Sequence, residues 1–382
     1  MKKKTHMNKQ HKHICVIISG GGTGGHIFPA IAIANALREA EPDIRILFIG
    51  ANGRMEMEKV PEAGYEITGL PISGLVKKVS FSTLMLPFRI IRSLIKARSV
   101  IRRFNPAVVV GVGGYASGPA LWAAQKMGIS TVIQEQNAFP GKTNRLLAKK
   151  VSAVCTAHGN MGRYFPEEKI HLTGNPVRKS VVSTEGLRDE AIAFFNLSRD
   201  KKTILFVGGS QGAGSINRVL SEQIRQLTDT GLQVIWQTGR HFDVSAYTEA
   251  GNLPQHISIN AFINRMELAY AAADLVVSRA GAIAIAEICL AGLPAIYVPF
   301  PYAADDHQVK NAREMEENGA AIMIKDDEIE TGLIPLTLST INNTEKLAAM
   351  HQQAGRLAKA DADKAIANII LNLAKKREPQ QP

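Results

Sequence analysis

Cysteine patterns that form disulfides or bind metals are absent from the sequence. The 382-residue chain has three cysteines, Cys15, Cys155 and Cys289, which is an odd number at wide spacing. No CxxC pair or Cys/His cluster occurs, so the sequence predicts neither a disulfide framework nor a zinc site. Each cysteine lies in an apolar run, which indicates a small core residue in a reducing compartment.

The sequence also lacks a hydrophobic run with the character of a membrane span. Residues 106–124 carry no charge but contain several glycines and two prolines, and residues 280–304 contain Glu287 and three prolines. Such breakers are typical of strand–loop–helix units in a buried core. Residues 1–13 are basic and polar, without the apolar stretch of a signal peptide, and we interpret them as a flexible tail. We expect a cytoplasmic chain that docks on a membrane.

Acidic residues are missing from residues 67–134, which contain nine Lys+Arg. Residues 1–178 carry a net charge of +15, whereas residues 179–382 carry −4. Because apolar side chains alternate with the basic ones, we expect residues 75–88 and their basic neighbours to bind anionic lipid. An amphipathic helix docked on its own sheet is the alternative. No nucleic-acid recognition motif occurs and aromatic residues make up only 6%, so nucleic acid is not an expected partner.

Short β-branched runs alternate with helix-length segments along the chain. The candidate strands are residues 14–19, 44–49, 107–111, 131–134, 153–156, 203–207, 233–237, 275–277 and 295–299. The candidate helices include residues 30–40, 119–128, 216–227 and 282–291. Uniformly apolar strands that alternate with helices predict parallel sheets covered on both faces. Since the pattern occurs twice, we predict an α/β protein with two doubly wound, Rossmann-like domains.

The predicted boundary between the two domains lies in a polar stretch near residues 176–200. We assign residues 14–177 to the N-terminal domain and residues 178–344 to the C-terminal domain. Residues 345–376 are rich in Ala, Lys and Leu, so we predict helices that return toward the first domain.

Each predicted domain opens with a glycine-rich loop between a strand and a helix, GGGTGGH at 20–26 and GGSQGAGS at 208–215. Such loops favour anions through their backbone N–H groups and the helix dipole. The first loop contains the GxGxxG fingerprint, but a dinucleotide site also needs an acid about 20 residues further on. The second strand ends in residues 49–52 without an acid, which disfavours a nicotinamide-dependent dehydrogenase.

His26 follows the first loop directly, and we place the start of the next helix at Pro29. Imidazole titrates near neutrality, which suits a general base. The alternative is a histidine that caps the helix.

Six motifs, in order along the chain, resemble those of the MurG family of glycosyltransferases. They are GGGTGGHIFPAIAIA at 20–34, GVGGYASGP at 111–119, QEQNAFPGKTNRLLAK at 134–149, TGNPVR at 173–178, GGSQGA at 208–213 and SRAGAIAIAEICLAGLPAIYVPFPYAADDHQVKNA at 278–312. One glycine motif alone is unspecific, whereas the ordered set, with QEQN and HQxxNA, is highly specific.

The resemblance implies two Rossmann-like domains that face a cleft, the GT-B arrangement. It implies inverting transfer of N-acetylglucosamine from UDP-N-acetylglucosamine, on the C-terminal domain, to the 4-hydroxyl of the muramyl sugar of lipid I, on the N-terminal domain. Lipid I is undecaprenyl-pyrophosphoryl-muramyl-pentapeptide, and the products are lipid II and UDP in peptidoglycan synthesis. No cofactor or catalytic metal is implied, and neither glycine loop contains a DxD-type pair. The family implies a peripheral protein on the cytoplasmic face of the cell membrane, in contact with its anionic surface.

The resemblance also assigns donor-binding roles to individual residues. It implies that Glu287 accepts hydrogen bonds from the ribose hydroxyls, that Arg178 neutralises phosphate, and that the backbone of Ile263 meets the uracil. The other donor-binding candidates are Thr23, Gly24, Gly25, Asn137, Ser210, Ala282, Ile283, Ala284, Ile285, Ala286, His307 and Gln308. The family often has Gln-Gln where this sequence has His307 and Gln308.

On the acceptor side, the resemblance points to three residues. His26 and Glu135 are the candidate catalytic residues, and Tyr115 is the candidate acceptor contact. Either His26 or a nearby carboxylate is the expected base, and the sequence leaves this choice open.

Three other functions remain open at this point. The chain fits another GT-B glycosyltransferase, such as a diacylglycerol glycosyltransferase, although QEQN and HQxxNA disfavour it. A UDP-N-acetylglucosamine 2-epimerase shares the fold and the nucleotide sugar but needs no lipid. A nucleotide-sensing peripheral membrane protein is the non-enzymatic alternative, which UDP release in the presence of acceptor would exclude.

Overall fold

The computed structural model describes residues 13–72, 86–177, 184–209, 211–243 and 256–376. The strands of the first domain are β1 (Cys15–Gly20), β2 (Arg45–Ala51), β3 (Glu66–Leu70), β4 (Val108–Gly113), β5 (Ser130–Glu135), β6 (Ala153–Thr156) and β7 (Ile170–Leu172). Those of the second domain are β8 (Thr203–Val207), β9 (Gln233–Gln237), β10 (Ile257–Asn260), β11 (Leu275–Ser278), β12 (Ala295–Tyr297) and β13 (Ala321–Met323).

Helices connect these strands. The helices are α1 (Gly24–Ala40), α2 (Glu56–Glu62), α3 (Leu86–Phe104), α4 (Ser117–Lys126), α5 (Lys142–Leu147), α6 (Arg188–Phe194), α7 (Gly214–Thr228), α8 (Met266–Ala272), α9 (Ala282–Leu290), α10 (His307–Glu317), α11 (Ile329–Asn342), α12 (Thr344–Leu357) and α13 (Ala362–Lys376). In the described ranges, no helix is both long and apolar enough to cross a bilayer.

Both sheets are parallel and doubly wound. The described strands of the first sheet run in the order β3-β2-β1-β4-β5-β6-β7, and those of the second in the order β10-β9-β8-β11-β12-β13. The strand order therefore reverses beside β1 and beside β8, which are the strands that lead into the two glycine loops. Ligands of such sheets bind at the carboxyl ends of the strands, at the reversal point. The predicted α/β class with two Rossmann-like domains is confirmed.

The strands are buried on both faces because helices cover each sheet from two sides. In β1, Val16 and Ile18 pack into one core of the first domain, whereas Ile17 points into the other. In β8, Leu205 and Ile204 divide in the same way between the two cores of the second domain. Continuous apolar strands of this kind explain why the central strands are predictable from their sequence.

The last helix, α13, packs on the first domain. Its residues Ile366 and Ile370 join the core that contains Val16 and Ile18, so the chain crosses between the domains twice. At this crossing, Gly174 has φ +86°, and a Cβ built there would lie 2.4 Å from the Cβ of Lys359. Gly174 therefore lets the outgoing and returning chain segments meet closely.

Two local expectations need correction. The sequence patterns do not predict the strands β3, β7, β10 and β13, and each forms an edge of its sheet with only partial burial. Edge strands lack the continuous apolar run that marks the central strands.

The second correction concerns the start of α1, which begins at Gly24 rather than at Pro29. The Thr23 carbonyl accepts hydrogen bonds from the N–H groups of His26 and Ile27 at 3.1 and 3.2 Å, so the first turn closes before the proline is reached. His26 therefore lies within the first turn of the helix.

Candidate active site

A buried carboxylate supports the first glycine loop from beneath. The N–H of Gly22 donates to Oε2 of Glu56 at 2.8 Å, and the N–H of Ala51 donates to Oε1 at 2.9 Å. Glu56 is 0% exposed at the start of α2. The loop therefore uses its Gly22 N–H internally, which departs from the expectation of a simple anion cradle.

His26 lies in a socket formed by two glycine-rich loops. Thr23 Oγ1 is 3.2 Å from Nδ1 of His26, and a Cβ built on Gly113 would lie 2.5 Å from the imidazole Cδ2. The neighbouring Gly114 packs against Gly21, because a Cβ there would lie 2.2 Å from the Gly21 carbonyl oxygen. Since both Gly113 and Gly114 have positive φ, only glycine fits these positions without strain.

Burial lowers the pKa of His26 to about 4. A hydrogen bond with the backbone of Gly21 opposes this shift, the nearby His307 adds to it, and the charge of Glu56 opposes it. The imidazole is therefore neutral at pH 7, which is the form that accepts a proton.

The second domain faces His26 with the start of α10. His307 is the first residue of this helix and acts electrostatically on His26 across the cleft. The next residue, Gln308, accepts a hydrogen bond from the N–H of Phe300 through Oε1 at 2.9 Å. Gln308 therefore fixes the loop after β12, where the exposed rings of Phe300 and Tyr302 lie edge to face.

Tyr115, the candidate acceptor contact, is exposed in the loop after β4. Thr23 and Gly25 are exposed and Gly24 is half-buried at the start of α1, so the structure brings these candidates together beside His26. Ser210 and Arg178 lie outside the described residues.

Glu135, the second candidate catalytic residue, lies in a buried environment. It is 2% exposed at the end of β5, and burial raises its pKa while its hydrogen bonds lower it. Its Oε1 accepts from the backbone and side chain of Asn137 at 3.1 and 3.3 Å. Its Oε2 accepts from the N–H of Gly141 at 3.1 Å and from Nδ2 of Asn144 at 2.8 Å. These contacts favour a positioning role for Glu135, which anchors the loop that carries Asn137.

Asn311 joins this loop to the second domain. Its Oδ1 accepts from the N–H of Ala138 at 3.0 Å, and its Nδ2 lies 3.3 Å from both Asn137 Oδ1 and the Ala280 carbonyl oxygen. Asn311 is 0% exposed, so its amide is committed to the joint between the domains. Sequence reasoning does not single out Asn311, although it is the asparagine of the HQxxNA motif.

Five of the expected donor residues, 282–286, form the start of α9, which follows β11 of the second sheet. The helix α9 begins after Gly281, which makes no side-chain cap, so its first N–H groups have no partner within the helix. Ala282 and Ile285 are buried, whereas Ile283, Ala284 and Ala286 are half-buried. An uncapped helix start of this kind favours an anionic group such as a diphosphate.

Glu287 lies further along α9, and Ile263 lies in the segment between β10 and α8. Glu287 is buried, and the hydroxyl of Tyr270 donates to its Oε2 at 3.1 Å. The N–H of Ile263 donates to Oε1 of Gln237 at 3.0 Å. The N–H of Ile263 is therefore bonded within the protein, so the backbone contact expected with the uracil has to use another atom of this residue.

Arg279 forms a polar network behind the second glycine loop that the sequence does not reveal. Its guanidinium donates to the carbonyls of Val298 and Pro299 at 3.1 and 3.2 Å and to Ser215 Oγ at 2.8 Å, and it pairs with Asp326. In the sequence, this network is marked only by an arginine directly after a buried strand. In the part of the chain that the structure describes, no three His, Cys, Asp or Glu side chains are grouped so as to hold a metal ion.

Comparisons with known proteins agree with this architecture. The glycosyltransferase family 28 N-terminal domain matches residues 16–156, and the corresponding C-terminal domain matches residues 203–366. A Bacteroides fragilis protein named UDP-N-acetylglucosamine–N-acetylmuramyl-(pentapeptide) pyrophosphoryl-undecaprenol N-acetylglucosamine transferase is 49% identical over 380 residues, or 98% of this chain and 99% of the relative. A Parabacteroides distasonis protein of the same name is 48% identical and covers 94% of this chain and 99% of its own length.

Solved structures give the same result. Acinetobacter baumannii MurG has a TM-score of 0.76 at 29% identity, covering 94% of this chain and 99% of its own. A UDP-N-acetylglucosamine 2-epimerase has a TM-score of 0.65 at 13% identity, covering 97% and 98%, a likeness that shows the fold alone. The GT-B fold and the family resemblance are thus confirmed. The chain therefore belongs to the MurG family of glycosyltransferases, within glycosyltransferase family 28.

Proposed function

We propose that the chain transfers N-acetylglucosamine from UDP-N-acetylglucosamine to the 4-hydroxyl of the muramyl sugar of lipid I, giving lipid II and UDP. The relatives at 48–49% identity carry the name of this reaction. The observation that carries the proposal is the position of His26, whose imidazole lies 3.2 Å from Thr23 Oγ1 and directly against Gly113, between the two glycine-rich loops of the first domain.

In the proposed reaction, His26 removes the proton of the acceptor hydroxyl as its oxygen attacks the anomeric carbon of the donor. The bond between that carbon and the UDP oxygen breaks, and the new bond forms on the opposite face, so the configuration inverts. The uncapped start of α9 and Arg178 stabilise the negative charge that develops on UDP. We assign the UDP-sugar to residues 178–344 and the acceptor to residues 14–177.

Acceptor-dependent release of UDP tests this proposal. With a short-chain lipid I analogue and EDTA present, we expect UDP to form at a rate that rises with acceptor concentration and is unchanged by EDTA. The measurement is a coupled UDP assay with controls that lack acceptor. UDP formation without acceptor, or formation of UDP-N-acetylmannosamine, would instead favour the epimerase. Loss of the rate in EDTA would contradict the metal-independent reaction.

We also propose that α3 contacts an anionic membrane surface on the cytoplasmic face. Its inner face, with Ala97 and Ile101, packs on the first sheet. On another face, Phe88, Ile91 and Ile95 are 62%, 54% and 65% exposed at helical spacing. Exposed basic residues, among them Arg92 and Lys96, flank this stripe. Most of the segment 75–88 expected to bind lipid lies outside the described residues, which include Phe88.

Neutralising Lys77, Lys78, Arg89 and Arg92 together is expected to weaken binding to anionic vesicles by about tenfold or more, because each basic side chain near such a surface adds to the attraction. The measurement is sedimentation with vesicles that contain phosphatidylglycerol, at low and at high salt. The matched control neutralises four exposed basic residues outside the first domain, Arg218, Arg225, Lys325 and Lys346. Equal binding by both variants would contradict the proposal.

A further inference from the structure

Glu56 is a fully buried acid that the proposed reaction does not use. An ionised carboxylate is costly to bury unless hydrogen bonds compensate it. Its two oxygens accept N–H groups from two separate segments, Gly22 in the first glycine loop and Ala51 at the end of β2. The carboxylate therefore ties the loop to the second strand of the sheet.

The glycines around Glu56 indicate that the loop is shaped to fit the carboxylate. A Cβ built on Gly21 would lie 2.3 Å from Oε1 of Glu56, and one on Gly50 would lie 2.6 Å from its Cγ. Only glycine at these two positions leaves room for the side chain of Glu56. The loop and the carboxylate therefore determine each other's position.

The same loop holds the imidazole of His26. Thr23 directly follows Gly22, whose N–H Glu56 accepts, and its Oγ1 lies 3.2 Å from Nδ1 of His26. Two hydrogen bonds and one peptide unit thus connect the carboxylate with the imidazole. Because Glu56 is 0% exposed, its side chain cannot contact a substrate in the cleft directly.

We propose that Glu56 is a positioning residue for the transfer reaction, which acts by fixing the glycine loop that holds His26. This inference rests on the proposed function, in which His26 takes the proton of the acceptor hydroxyl. In this proposal, the Gly22 N–H donates to Glu56 in the protein interior and does not contact the pyrophosphate of the acceptor.

The test is a double-mutant cycle that combines Glu56→Gln with His26→Ala. The substituted side chain presents an NH₂ group to one of the two N–H donors, so the loop is expected to shift. A shift of this kind should lower kcat by about 10- to 100-fold. In the His26→Ala background, E56Q should lower kcat by no more than about threefold, because residues that act as a unit are not additive. The readout is kcat for acceptor-dependent UDP release.

Two controls keep the outcome clear. Glu62→Gln removes an exposed acid from the same helix, where it pairs with Lys59 at 2.6 Å, and should retain the wild-type rate. The Kd for UDP, bound by the second domain, should be unchanged in E56Q, and a retained cooperative urea-unfolding transition reports that the first domain is folded. If E56Q loses UDP binding, Glu56→Asp takes its place in the cycle, since aspartate keeps the charge but is too short to reach both N–H groups.

The outcomes separate the inference from the function on which it rests. A wild-type protein without acceptor-dependent UDP release would overturn the proposed function itself. An active wild-type protein with a wild-type kcat in E56Q would overturn the role of Glu56 alone. Independent losses that multiply in the double variant would also overturn it, because they would place Glu56 outside the action of His26.

Discussion

Replacing His26 by glutamine is expected to lower kcat by about 10²- to 10⁴-fold, the usual contribution of a general base. Glutamine retains a polar group near Thr23 Oγ1 and fits the space beside Gly113, so the loss reports chemistry and not packing. The Kd for UDP should remain unchanged, because we assign the donor to the second domain. Steady-state UDP release and calorimetric UDP binding measure the two quantities, and His171→Gln, which replaces an exposed histidine, is the control.

The pH dependence of the rate is a second test of His26 as the base. Because burial lowers the pKa of His26 to about 4, its neutral form persists as the pH falls from 7 to 5. The wild-type rate should therefore show no loss centred near pH 6.5, where an ordinary histidine becomes protonated. A loss of kcat with its midpoint at that pH would contradict His26 as the base.

The lowered pKa of His26 also makes folding stability depend on pH. The unfolded chain binds a proton at His26 near pH 6.5, whereas the folded chain binds it only near pH 4. Between these values the unfolded state holds more protons, so His26 lowers the stability of the wild type as the pH falls from 6.5 to 4. His26→Gln should reduce this slope in urea unfolding.

The central part of each sheet is predictable from the sequence because its strands are apolar on both faces. The strand β8 has its predicted bounds, and β1 and β4 agree within one or two residues. The edge strands β3 and β7 carry polar and exposed residues, so no local pattern marks them. Their place is determined by pairing with β2 and β6, which is a tertiary effect.

The site is predictable where a motif carries it and unpredictable where distant residues meet. The glycine loop draws attention to His26, and the SRAGA segment to the start of α9. Glu56 instead meets Gly22 from 34 positions away, and Asn311 meets Asn137 from 174 positions away. One sequence gives no signal for such pairs.

Glu135 illustrates a further limit. A carboxylate in a motif suits both acid–base chemistry and the anchoring of a loop, and only its burial and its four N–H donors favour the second. The local sequence contains no information about solvent exposure at the end of β5. The role of a charged motif residue therefore depends on the fold around it.

The second large effect concerns Glu287. If its carboxylate accepts hydrogen bonds from the ribose, Glu287→Ala should raise the Kd for UDP by about 10- to 100-fold, since hydrogen bonds to charged groups contribute about 1.5–3 kcal/mol each. The kcat at saturating donor should fall much less, because the residue is remote from the reacting hydroxyl. Calorimetric titration with UDP and steady-state kinetics over donor concentration measure the two effects.

A comparison of UDP with 2′-deoxy-UDP makes this prediction specific. The wild type should bind UDP about 10-fold or more tightly than the deoxy nucleotide, because the deoxy nucleotide lacks one donor to the carboxylate. Glu287→Ala should bind both with nearly equal affinity. Tyr270→Phe is the matched control: it removes the hydroxyl that donates to Glu287 at 3.1 Å but keeps the carboxylate, so discrimination should persist. Equal discrimination in wild type and Glu287→Ala would mean that the carboxylate only stabilises the packing of α8 against α9, and the ribose contact would have to be sought elsewhere along the carboxyl edge of the second sheet.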